Sequence, residues 1–465
     1  MHIKGCLRRV PFRARGRTIF MALAAVCVLV TGCAVQTPSH DELGVPIPGS
    51  WDSRSTARTA TLPAPTPDWW RAFGSPELEQ LIDQAQAGSF DIAAAITGVR
   101  QARLLAEIAG AALLPEVSGS LNASRPANFG AGLQASYEVD FWGRNRAIRD
   151  GALAELRASE YDRATVGLMA ISSVADAYVQ TLWLRQQQAL LLDNLQLAEQ
   201  IMKVVESRRR AGAATQLEVA QQQGVLVSLQ RSLISVRQQE HDSIATLAVL
   251  LGKPPQDFKV VGDSLDALTW PLLDAGLPSD LLARRPDIAR LEARLTAADA
   301  NIVVARAAMF PSLSLGGGVS TGGNHLQEAF DNPVYSLAAG LAAPIFNGRR
   351  LAASHELAQV QKEALLVSYR AGIVAAFADV EIALNAIDSN DRQRSYHAQE
   401  EQLAEQALRL SESRYRAGAE DLLTVLDAQR TLYSARETSL RLHRDRLQAS
   451  IGLFKALGGG WSVSN

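Results

Sequence analysis

At 465 residues and 50.0 kDa the chain is too long for one ordinary domain, so it holds either several domains or one elongated architecture. Apolar residues make up 47% and charged residues 20%, and there is no Gly-X-Y period; a disordered chain and a collagen are both excluded. A net charge of −2 leaves no basic footprint for a nucleic-acid partner, and past residue 33 no apolar run reaches the roughly 18 residues that a membrane-spanning helix needs.

Residues 1–32 have the three-part layout of a secretory signal. Lys4, Arg8, Arg9, Arg13, Arg15 and Arg17 come first with no acid among them, then the apolar stretch Ile19 to Val30, then small residues ahead of a cysteine. Val30-Thr31-Gly32-Cys33 resembles a bacterial lipoprotein cleavage site, which makes Cys33 the lipid-bearing first residue of the mature chain. Ala34 after it, by resemblance to the sorting rule of such lipoproteins, favours an outer membrane. Cys6, Cys27 and Cys33 are the only cysteines, so the mature chain has neither a disulfide framework nor a Cys metal site. Residues 33–68 carry Pro38, Pro46, Pro48, Pro63, Pro65 and Pro67 and read as a lipid-anchored tether with no core of its own.

Ordered structure is expected from Asp68-Trp69-Trp70 onward. No proline occurs between Pro126 and Pro254 or after Pro344, and both stretches are rich in Ala, Leu, Gln, Glu and Arg; such composition without breakers predicts very long helices. Arg144 to Arg210 reads as one helix of about 65 residues and about 100 Å. Gln216 to Leu251 reads as the helix returning beside it. Leu226, Leu229, Leu233 and Val236, then Ile244, Leu247 and Leu251, follow the 3-4 spacing of a coiled-coil seam.

The pattern then recurs. Phe90-Asp91-Ile92 returns as Pro286-Asp287-Ile288, Pro115 as Pro311, Phe141-Trp142-Gly143-Arg144 as Phe346-Asn347-Gly348-Arg349, Arg210-Ala211-Gly212-Ala213 as Arg416-Ala417-Gly418-Ala419, and Leu251-Gly252 as Leu457-Gly458. Five collinear matches roughly 200 residues apart, with one insertion of about nine residues, indicate a tandem duplication. The first repeat spans 69–254, a connector 255–277, and the second repeat 278–465.

Each repeat also offers two segments with weak alternation: Glu116 to Ser124 and Ala131 to Asp140, then Ser312 to Ser320 and Ser336 to Ile345. Their length and style suit transmembrane barrel strands, although two soluble hairpins give the same pattern. Four strands cannot close a barrel, and an open edge cannot sit in lipid; three protomers would supply twelve. Pro344, late in the last strand, requires a strand end or an edge.

Four stretches taken together resemble the TolC-like outer-membrane efflux factors, lipoprotein branch (OprM/NodT-like): Trp69-Trp70-Arg71-Ala72-Phe73 with Pro76-Glu77-Leu78, Leu281-Leu282-Ala283-Arg284-Arg285-Pro286-Asp287-Ile288, Arg414-Tyr415-Arg416-Ala417-Gly418 followed by Leu422 to Arg430, and Lys455 to Trp461. The resemblance implies a mainly α protein with a small β part. It would be a tandem-repeat protomer of a trimeric duct, with a long coiled-coil α-barrel, four strands given to a twelve-stranded outer-membrane β-barrel, and the connector in an equatorial belt. The implied partners are two further copies, a periplasmic adaptor protein and an inner-membrane pump of the resistance-nodulation-division type, with no nucleic acid. By the same resemblance Leu423 narrows a periplasmic gate, and Asp427 sets a ring of three carboxylates locked by Arg414, Tyr415 and Arg430. Glu218 stands where the family often has Asp. The turns at Arg210 and Gly212 and at Arg416 and Gly418 dock the adaptor.

No catalytic signature competes. His355-Glu356 lacks the second histidine of a zinc helix, Leu251-Gly252-Lys253-Pro254 lacks the upstream glycine of a phosphate loop, and no Gly-x-Ser-x-Gly elbow occurs. The expectation is a passive export duct without a cofactor other than the lipid on Cys33. A duct for polypeptides and a coiled-coil scaffold lipoprotein without a pore are the alternatives.

Overall fold

The computed structural model describes residues 44–52, 66–124, 128–271, 273–325 and 332–461. The signal segment, Cys33 and most of the Pro-rich segment lie outside these described residues. After a short 3-10 turn over Trp69–Phe73 come α1 (Pro76–Gly88), α2 (Phe90–Ala111), β1 (Glu116–Ser124), β2 (Asn128–Val139), α3 (Arg144–Arg210) and α4 (Gln216–Leu250). The second half follows with α5 (Pro278–Arg284), α6 (Pro286–Ala307), β3 (Ser312–Gly323), β4 (Val334–Ala342), α7 (Arg350–Arg416) and α8 (Leu422–Ala456). The two halves match in length: 22 residues in α2 and α6, 67 in α3 and α7, 35 in α4 and α8. Gly151, inside α3, lets α6 approach, with Ala300 Cβ only 3.3 Å from where its own Cβ would stand. No helix among the described residues is long and apolar enough to cross a membrane.

The four strands form one antiparallel sheet in the order β1-β2-β3-β4, so the hairpins of the two repeats join between β2 and β3. Its register pairs Leu121 with Ala131, Leu133 with Val319 and Gly317 with Leu337. Because facing residues share a face, Val117, Leu121, Leu133, Tyr137, Leu313, Leu315, Val319, Tyr335, Leu337 and Leu341 form one apolar surface. Ser118, Ser120, Asn122, Gln134, Ser136, Ser314 and Ser320 form the polar one. The apolar face is bare: Leu121 is 82% and Leu337 92% exposed.

The strand limits differ from the sequence expectation. β2 starts three residues before Ala131 and stops at Val139, because Asp140 turns to accept the Asn145 and Arg146 N–H groups at the start of α3. β3 continues past Ser320 to Gly323, and β4 starts at Val334 and ends at Ala342. Pro344 therefore lies beyond the ladder it could not join, rather than late within it.

The main core lies where the repeats meet. Trp69 stacks on Phe454 with centroids 4.8 Å apart, and Phe73, Leu78 and Ile82 pack beside Val174, Leu182, Leu247 and Ile451. Val260, Leu265 and Leu268 bring the 255–277 segment into the same core. Trp51, within the 33–68 segment, packs onto this body: it is buried, its Nε1 donates to Gly276 O at 3.0 Å, and its ring meets Phe377 edge-on.

Each return helix ends on a glycine that permits backbone contact. Gly252 (φ 69) would place a Cβ 2.1 Å from Gly88 O, and Gly458 (φ 84) one 2.0 Å from Arg284 O. Both therefore need positive φ and an absent side chain. Gly458→Ala should cost about 2 kcal/mol or more. Gly224→Ala, in open space inside α4, should be neutral or stabilising. Thermal unfolding followed by circular dichroism in detergent checks both.

Candidate functional site

The ends of the long helices farthest from the strands are built by local rules. α3 and α7 stop in the same reversal: the Ala213 N–H bonds Arg208 O at 2.8 Å and the Gly212 N–H bonds Arg209 O at 3.0 Å, and the Ala419 and Gly418 N–H groups bond Arg414 O and Tyr415 O at 2.9 and 3.0 Å. This is the Schellman pattern, with Gly212 and Gly418 at φ 74 and 77. The next helices start on caps. Thr215 and Glu218 form a reciprocal capping box, and Asp421 Oδ1 accepts the Thr424 N–H at 2.9 Å.

Above the turns an apolar seam joins the repeats, with Ile201, Val205 and Val219 against Leu408, Leu422 and Val425. Tyr415 is buried in it. Its hydroxyl donates to Glu218 Oε1 at 3.0 Å, tying the end of α7 to the start of α4. The Arg208 guanidinium lies 4.2 Å over the Tyr415 ring, and its Nη2 donates to Ala213 O. Burial pushes the Glu218 carboxyl up, but the Thr215 N–H and hydroxyl, the Tyr415 hydroxyl and the Arg208 charge more than reverse this and hold it below the usual glutamate range. Burial, the bond to Glu218 and its charge push Tyr415 up to about 12. At neutral pH the pair is a phenol donating to a carboxylate.

Leu423 and Asp427 lie one turn apart on the opposite, exposed face of α8 from Leu422, Val425 and Gln429. Asp427 pairs with Arg430, both mostly exposed, a contact worth only a few tenths of a kcal/mol. Within one protomer, only one member of the expected lock lies at Asp427. Arg430 is there; Arg414 instead stands 3.3 Å from Glu420, Arg416 pairs with Glu412, and Tyr415 serves Glu218. The cause is helical phase: Tyr415 belongs to the buried seam, whereas Asp427 faces away from it. Gly212, Gly418 and Arg210 are exposed at the turns. Sequence reasoning missed Thr215, although Thr215-x-x-Glu218 is a capping-box spacing. It also missed the Tyr433 hydroxyl, which crosses to Asn194 O at 2.8 Å. Among the described residues no group of three or more His, Cys, Asp or Glu side chains is placed to hold a metal ion.

Long paired helices, a bare apolar sheet face and polar helix tips define the protomer of an outer-membrane channel. Residues 81–253 and 277–459 both match the family model described as outer membrane efflux protein, and the chain belongs to that family. It is 47% identical over 461 residues to the pyoverdine export outer membrane protein OpmQ of Pseudomonas aeruginosa, covering 95% of this chain and 97% of that one. It is 32% identical to the cation efflux system protein CusC of Escherichia coli, covering 94% and 98%. Among solved structures, the open-state MtrE outer membrane channel of Neisseria gonorrhoeae matches with a TM-score of 0.81 at 29% identity, over 92% of this chain and 98% of that one. The protein is a transport channel of the outer membrane. Three protomers close the twelve-stranded barrel, so that β1 and β4 are no longer open edges.

Glu218 sits low in the folded state, so its contribution is complete above the ordinary glutamate pKa and is lost as pH falls through the depressed folded value. Spin labels at Ala213→Cys and Ala419→Cys should give a narrow distance distribution at pH 7 that broadens only below about pH 4.5. Tyr415→Phe removes about 1 kcal/mol and should broaden it already at pH 7.

Proposed function

We propose that the chain is the gated duct of a tripartite efflux pump, carrying small toxic compounds from the periplasm or the pump to the exterior. Its partners are a periplasmic adaptor and an inner-membrane pump of the resistance-nodulation-division type. The gate is the tip cluster. Leu423 narrows the passage, and Asp427, repeated in three copies, forms a carboxylate ring that favours cations and repels anions. The observation that carries this reading is the Tyr415–Glu218 bond, which fastens the two repeats together at the tips, where the start of α8 bears Leu423 and Asp427. Arg210, Gly212, Arg416 and Gly418 form the tips on which the adaptor docks. Cys33 carries the lipid that holds the amino end at the membrane.

The relatives' names, pyoverdine export for one and cation efflux for another, support a small solute as cargo. Passage is diffusion through water, with the energy supplied by the partner pump.

Single-channel conductance in a planar bilayer tests the gate. The wild type should show a low, flickering, cation-preferring conductance. Asp427→Ala should lose the preference, and Tyr415→Phe should lengthen the openings. A wide pore indifferent to Asp427→Ala would remove that residue from the gate, and trimers without any conductance would overturn the duct.

A further inference from the structure

The duplication places the two tips in register, and their charges differ. In the second tip the cations are neutralised from within: Arg414 faces Glu420 at 3.3 Å and Arg416 pairs with Glu412. The first tip carries Arg208, Arg209 and Arg210 at the positions of Arg414, Tyr415 and Arg416, but Ala214 replaces Glu420 and Thr215 replaces Asp421. Arg208 is spent on the Tyr415 ring and Ala213 O. Arg209 and Arg210 are exposed, and among the described residues no acid lies within ion-pair distance of either; Glu206, one turn before Arg210, is not engaged. Neither is needed by Arg208 O or Arg209 O, which accept the Ala213 and Gly212 N–H groups.

We infer that the first tip is a carboxylate receptor: Arg209 and Arg210 bind acidic side chains of the periplasmic adaptor, while the self-neutralised second tip is matched by shape alone. This rests on the reading of the tips as the adaptor-docking surface. Headgroups of the membrane that holds the strands are out of reach, since the 67-residue α3 separates the tip from the strands by about 100 Å. Each guanidinium presents on its own the planar fork that suits a carboxylate, and the two point to different sides of the helix end. Charges so exposed act mainly by steering the encounter.

The test uses the purified full-length channel and the adaptor with which it restores export, with binding kinetics measured at low and high salt. Arg209→Gln with Arg210→Gln should weaken binding about tenfold at low salt, mainly through the association rate, and the difference should vanish at high salt. The Lys pair at these positions should retain most of the rate. Arg231→Gln with Arg237→Gln, the same charge change on exposed positions of α4, should leave binding as in the wild type, and thermal unfolding of all variants should coincide. A double Gln variant that binds like the wild type, or an equal loss in Arg416→Gln, overturns the carboxylate receptor and leaves tip docking standing. Wild-type channel that fails to bind the adaptor overturns tip docking and the receptor together.

Discussion

A sheet that is apolar on one face and open at both edges constrains everything else in this molecule. In hydrocarbon an unpaired backbone N–H or C=O costs several kcal/mol, so β1 and β4 cannot remain as they stand in a single protomer. Closure by three copies removes both edges, gives the Leu121, Leu133 and Leu337 face to lipid and turns the Ser-rich face to water. The order of the long helices follows. Each repeat emits one hairpin and then one 67-residue helix, so the cyclic order of hairpins makes helices of the two repeats alternate around the duct.

The repeats keep their geometry and differ in chemistry. Helix lengths, the Schellman reversals and the glycine contacts at Gly252 and Gly458 are the same in both. The tips are not. Glu218 corresponds to Thr424, and Tyr415 to Arg209, so the bond between Tyr415 and Glu218 exists only because each half supplies a different member. A single contact of this kind contributes about 1 kcal/mol.

The long helices were legible because helix needs only composition and the absence of prolines. Arg144–Arg210 matches the expected limits, and α4 ends one residue before Leu251. Strand existence was legible and strand limits were not, since Gly- and Ser-rich segments alternate too weakly to mark where a ladder stops; Pro344 was the one sharp marker, and it lies outside. Leu423 and Asp427 shared a face by spacing alone. The partner of Tyr415 was not legible, because Glu218 lies in the other repeat, and local spacing carries no information about contacts between repeats. Trp51 escaped for the opposite reason: one aromatic in a Pro-rich stretch carries no periodicity, yet the groove at Gly276 and Phe377 receives it.

The distribution of packing decides where movement can occur. Around Trp69 and Phe454, large aromatic and aliphatic side chains of both repeats and of the 255–277 segment are fully buried. That segment is clamped further: the Trp270 Nε1–H donates to His443 Nε2 at 3.0 Å and Arg394 lies 3.6 Å over the Trp270 ring, while beside it buried Arg446 of α8 holds Asp391 of α7 at 2.9 Å. The tips have smaller seam residues, exposed caps and one phenol–carboxylate bond. Local opening costs least where few apolar contacts are lost. A displacement that parts the tips therefore turns about the aromatic core and leaves the barrel, whose closed ladder admits no partial opening, in place.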